Sequence, residues 1–199
     1  MYCSLHAYDN NLLNIESDII SRLADQGNGW AQFLKARHIA DHKREWEERI
    51  QDYRLPDEAF KEMLEWLQRA AHNGIALAQY WLARLYGDKD NPYGIYDVNE
   101  SFRWLCAAEE LPEAQYALAH YYALGRGTEQ NPERAIRLLE TAAAANLKDA
   151  ILQLSHCYSL GLHVPQDRKK AEELENRVYG HIWKQFKQPK NQQQNGTDK

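Results

Sequence analysis

The chain has 199 residues, 44% of them hydrophobic, and a formal net charge of −5. That length holds one large domain or an array of small units, and that apolar fraction excludes global disorder. The acidic balance argues against a nucleic-acid-binding module, because Lys and Arg on phosphates supply most of such affinity.

The opening residues, MYCSLHAYDNN, lack a basic stretch followed by an apolar one, so no secretory leader is read there. No run of about 18 apolar residues suggests a membrane span. Three cysteines, Cys3, Cys106 and Cys157, form a sparse and odd set that fits a reducing compartment better than a disulfide framework. The expectation is a cytoplasmic protein with no membrane partner.

IISRLADQGNGWAQF reads as a second helix ending and a first helix beginning, so residues 1–28 are predicted as a capping half-repeat. The stretch 41–56 is densely charged and has no Gly. It is predicted to extend the first helix and to return by a loop closed at Pro56. Three later phrases then share one wording: ALAQYWLARLYG, EAQYALAHYYALGRG and DAILQLSHCYSLGLH. Ala78, Ala114 and Ala150 recur at intervals of 36 residues, and Ala31 fills the same place ahead of the charged stretch. A small-residue column holds Ala36, Ala83, Ala119 and Ser155. An apolar column three residues on holds Ile39, Tyr86, Tyr122 and Tyr158. Such columns at helical spacing mark a face packed closely on a neighbouring helix.

Each phrase is followed by a turn and a second helical stretch. After Gly125 and Gly127, Asn131 is predicted as an N-cap with Pro132 at the first helical position. A period in the thirties built of two helices predicts an α-solenoid, in which no unit buries its apolar face alone. Repeats are expected near 29–74, 75–110, 111–146 and 147–187, followed by a disordered tail at 188–199. Residues 166 to 190 are locally basic, with seven Lys and Arg against four Asp and Glu.

The pattern A-x-x-x-L-A-x-x-Y-x-x-G-x-G, followed by paired leucines and paired alanines, resembles the Sel-one-like repeat family, a relative of the tetratricopeptide repeat. The match is fullest at Ala114, Leu118, Ala119, Tyr122, Gly125, Gly127, Ala135, Leu138, Leu139, Ala142 and Ala143. Residues 78 to 113 match with a longer turn and a shorter second helix. In the last copy Ser155 replaces the small alanine and His163 the second turn glycine. The resemblance implies an all-α, right-handed solenoid serving as a protein-interaction scaffold. It also implies relatives among immunity proteins that neutralise a toxin by stoichiometric binding, the alternative function here. The secreted, disulfide-bearing branch has cysteines in each repeat, which this chain lacks.

No catalytic constellation is visible, and the expectation is a non-enzyme without cofactor. Cys106 sits in an apolar helix, and Cys157 follows His156 but points about 100° away from it, so both read as structural. His38 and His42 share a helix face without a third ligand, so no metal site is expected. Trp66 and Trp104 take the place of Leu138 and read as core, whereas Trp81 stands in a variable column and reads as a contact residue.

The strongest candidate surface is a column of cations. Arg37, Arg84, His120 and His156 each stand four residues after Phe33, Tyr80, Tyr116 and Leu152. Together with Trp81 and Tyr121 they are expected to line a concave groove that binds a protein partner through an acidic contact surface. Such binding would weaken with salt and tighten as pH falls from about 8 to 6.

Overall fold

The computed structural model describes residues 17–47 and 55–186, and side-chain placement within 17–41 and 55–180. Residues 17–25 are helical (α1). They are followed by α2 (Gly29–Glu47), α3 (Asp57–His72), α4 (Ala76–Gly87), α5 (Val98–Ala107), α6 (Pro112–Leu124), α7 (Pro132–Ala144), α8 (Lys148–Leu160) and α9 (Arg168–Phe186). No strand occurs among the described residues. Helices α2 to α9 pack on their neighbours in the chain, most extensively within successive pairs. An all-α solenoid of helix pairs is the result, α2/α3, α4/α5, α6/α7 and α8/α9.

Local chemistry sets the helix ends. Asn131 Oδ1 accepts the Arg134 N–H at 2.9 Å, and Pro132 occupies the first turn, where its missing N–H leaves nothing unpaired. Asp97 caps α5 by accepting from the N–H groups of Asn99 and Glu100. Asp167 accepts from Lys170 at the start of α9. Gly125 and Gly161 close α6 and α8 in the left-handed conformation, with φ of 66° and 72°. The next glycine of the turn, Gly127, has φ 63°. In the last repeat His163 takes that place at φ 60°, in a region an L side chain rarely adopts.

Packing explains the repeated wording. Ala31, Ala78, Ala114 and Ala150 are buried, as are Ala36, Ala83, Ala119 and Ser155. Trp66, Trp104 and Leu138 are also buried at matching places. The small columns let paired helices approach closely, and the large residues fill the layer behind them. Among the paired helices α2 to α9, α5 is the shortest, at 10 residues. The long turn before it folds back on the preceding unit. Tyr93 stacks on Phe60 with ring centroids 3.5 Å apart, and its hydroxyl donates to the Leu55 carbonyl at 3.0 Å.

α2 runs as far as Glu47. The expected tail at 188–199, the first part of the capping half-repeat and the middle of the charged stretch lie outside the described residues, as does the His42 side chain.

Candidate partner-binding surface

The first helices of two successive pairs, α4 and α6, converge on a pocket of about 510 Å³. Trp81 and Arg84 line it from α4, and Ala117 and Tyr121 from α6. Met63, Ser101 and Leu105 add to its lining from α3 and α5, and Arg126 comes from the turn after α6. Three of the sequence-predicted residues, Trp81, Arg84 and Tyr121, therefore meet at one place.

The wall of this pocket is held by a short polar chain. Ser101 Oγ lies 2.6 Å from the Ala83 carbonyl and 2.6 Å from the Tyr121 hydroxyl. The carbonyl can only accept, so Ser101 gives it its one proton and Tyr121 donates to Ser101. Gly87 makes room for this arrangement, because a Cβ there would stand 2.6 Å from Tyr121 Oη and 2.7 Å from Ser101 Oγ. Arg126 donates to the Gly87 carbonyl at 3.3 Å and places its guanidinium 4.9 Å from the centre of the Tyr121 ring. Trp81 is half-buried and meets the edge of Phe33, with centroids 5.7 Å apart.

The remaining predicted residues extend away from the pocket along the first helices. Tyr80 is half-buried. Burial pushes its phenol pKa up, the Arg84 charge pulls it down, and the carboxylates of Glu113 on α6 and Asp149 on α8 push it up again. Tyr116 is raised likewise by burial and by Asp149. Tyr80 and Tyr116 thus both feel the Asp149 carboxylate, and this side of the first helices carries carboxylates beside its cations. Tyr116 packs edge-on against His120 at 4.7 Å, and burial lowers the His120 pKa. Arg37 lies at the other end of the array and pairs with Asp41 across one turn at 3.6 Å. His156 is exposed on α8. Neither Arg37 nor His156 lines the pocket.

Sequence reasoning missed Arg126, which lies between the turn glycines Gly125 and Gly127, and Ser101, which lies in the short second helix of its repeat. A signal for Ser101 exists. It is a hydroxyl residue three before Trp104, where Ala135 stands three before Leu138.

Burial favours the protonated thiol at both described cysteines, and Glu109 raises Cys106 further against the pull of Arg134. Cys106 is half-buried rather than fully enclosed, while Cys157 is buried. No group of three His, Cys, Asp or Glu side chains stands together to hold a metal among the described residues. No helix among them is long and apolar enough to cross a membrane.

The family described as Sel1 repeat matches residues 64–75, 76–111, 112–147 and 148–174. The chitin synthase regulator SKT5 of Saccharomyces cerevisiae is 34% identical over 84 residues, covering 41% of this chain and 12% of that protein. A crystal structure of a Sel1 repeat protein from Oxalobacter formigenes superposes with a TM-score of 0.66 at 21% identity, covering 84% of this chain and 62% of that one. A Sel1 repeat protein from Klebsiella pneumoniae subsp. pneumoniae gives 0.52 at 23% identity, covering 82% and 73%. The chain thus spans a small part of the yeast regulator and under two thirds of the Oxalobacter protein. At these identities the solved structures establish the fold alone.

Proposed function

The chain belongs to the Sel1 repeat family, whose members are generally protein-interaction scaffolds, and on that premise we propose that it binds a protein partner along the first-helix face of the array. The observation that carries this reading is the convergence of Trp81, Arg84 and Tyr121, from two successive repeats, on one pocket. A half-buried Trp and an exposed Arg beside a recess are the residue types that dominate contact energies at protein interfaces. The array would run over residues 29–187, with the cation column facing an acidic partner surface.

The test is site-specific photo-crosslinking in the native host. A benzophenone side chain replaces Tyr80 or Tyr116 on the face, and Arg137 on the second helix α7 as the control. The reading requires one protein crosslinked from both face positions and absent from the control. Equal crosslinking from Arg137 would place the contact elsewhere.

A further inference from the structure

We propose that the pocket between α4 and α6 takes one side-chain carboxylate of an extended peptide, held between Arg84 and Arg126, with an adjoining apolar side chain against Trp81. This rests on the scaffold reading and names the chemistry its partner presents at one place.

The charge count favours a single carboxylate. The charged residues lining the pocket are Arg84, Arg126 and Asp88, which leave one positive charge. Neither arginine is ion-paired to a carboxylate among the described residues. Asp88 already spends Oδ1 on the Asp90 N–H at 3.0 Å. The chain as a whole carries −5, so an acidic segment is repelled by most of the body and drawn to this spot.

The geometry favours a peptide rather than a flat surface. The cavity, at about 510 Å³, lies between two helices and has room for side chains that project from an extended segment. Its groups are already placed. Arg126 is fixed by the Gly87 carbonyl and the Tyr121 ring, so it loses little rotamer freedom when it meets a carboxylate. Tyr121 donates its only proton to Ser101, so its hydroxyl offers a ligand nothing but lone pairs. That leaves the guanidiniums as the donors for an anion. Trp81 is braced by Phe33 and gives a rigid apolar wall beside them.

The experiment uses a panel of fluorescein-labelled extended peptides in which one Glu is set beside one Leu or Phe. Matched peptides carry Gln or phosphoserine in place of Glu. Binding to the full chain is read by anisotropy. The expected result is binding of a Glu peptide, loss of about tenfold or more with the Gln peptide, and a similar loss in Arg84→Gln. Arg84 is exposed, so its replacement leaves folding intact. Arg126→Lys, which keeps the charge but not the fork, is expected to weaken binding less than Arg126→Gln. Arg134→Gln should have no effect. The proposal is overturned if no Glu peptide binds, if Arg84→Gln binds as the parent does, or if phosphoserine binds more tightly than Glu. If crosslinks from Tyr80 and Tyr116 persist while Arg84→Gln leaves peptide binding unchanged, the carboxylate assignment fails and the scaffold reading stands.

Discussion

Ser101 on α5 donates its hydroxyl proton to the Ala83 carbonyl on α4, 2.6 Å away. In the last helix pair the same bridge runs the other way, with Ser155 on α8 reaching the Ala171 carbonyl on α9 at 3.1 Å. The two serines occupy opposite partners of one crossing, and in α6/α7 both places hold alanine, Ala119 and Ala135. All four are buried, and close helix packing favours a small residue there.

The two serines should therefore differ in what they contribute. Ser101→Ala strips a partner from the Ala83 carbonyl and from the buried Tyr121 hydroxyl, an expected loss of about 1–3 kcal/mol. Ser155→Ala removes one hydroxyl that two acceptors at 3.1 Å share, and restores the alanine of the neighbouring repeat. Its loss should be about 1 kcal/mol or less. Denaturant midpoints of the two variants check the order.

Overpacking the same crossing is the converse experiment. Ala119 is 2% exposed between α6 and α7. Ala119→Leu should destabilise the chain by about 1–3 kcal/mol, because the added methylenes push the helices apart. An unchanged thermal midpoint would mean that the crossing lies elsewhere on α6.

The columns were legible because each residue in them answers the same neighbour at the same spacing. Ala114 and Ala150 face the same packing problem, so they repeat. The pocket was only half legible for the opposite reason. Trp81 stands in a variable column and Arg84 in the cation column, both on a regular helix, so both could be placed by counting. Arg126 acts from a turn, and Ser101 reaches Tyr121 across 20 residues of sequence, a pairing no single-repeat pattern contains. Tyr93 was invisible for a further cause. It belongs to the lengthened turn of this repeat, and its target Phe60 lies in the preceding unit.

That turn acts as a strap, and the strap has a testable effect. Tyr93→Ala removes a ring stacked at 3.5 Å on Phe60 and a hydrogen bond to the Leu55 carbonyl. The expected loss is about 2–4 kcal/mol if the array unfolds as one unit. In a solenoid the loss should be felt mostly by the helices it joins. Hydrogen exchange should accelerate in α3 and α4 while α7 and α8 keep their protection. Uniform acceleration would show that the array has no local units.

The turn positions at Gly127 and His163 give a pair of opposite outcomes. Both have φ near +60°. Gly127→Ala adds a Cβ only 2.8 Å from the Val98 carbonyl oxygen as well as left-handed strain, so it should destabilise by more than about 1 kcal/mol. His163→Gly relieves that strain where the chain already bears it. It should stabilise by up to about 1 kcal/mol, the strain relieved exceeding the entropy glycine adds to the unfolded chain. A thermal midpoint that falls in His163→Gly would mean that the imidazole makes a contact worth more than the strain.

Burial of His120 sets a pH dependence whose sign follows from linkage. Its folded pKa is lowered from an ordinary value of 6.5 by desolvation, so below 6.5 the unfolded chain takes up this proton more readily than the folded one. Stability is therefore lost as pH falls from 6.5 towards the folded pKa, and above that window the residue costs nothing. His120→Gln should flatten the fall in thermal midpoint between about pH 7 and pH 5 relative to the parent. An identical slope in the variant would show that the imidazole is solvated when protonated. The same burial bears on partner binding. His120 resists the charge that acid would add to the cation column, and the exposed His156 stands outside the pocket. Binding to a carboxylate at Arg84 should accordingly follow salt strongly and pH weakly between 8 and 6, because a guanidinium keeps its charge throughout that range. A peptide affinity that rises steeply with acid over that interval would move the contact from Arg84 towards the histidines.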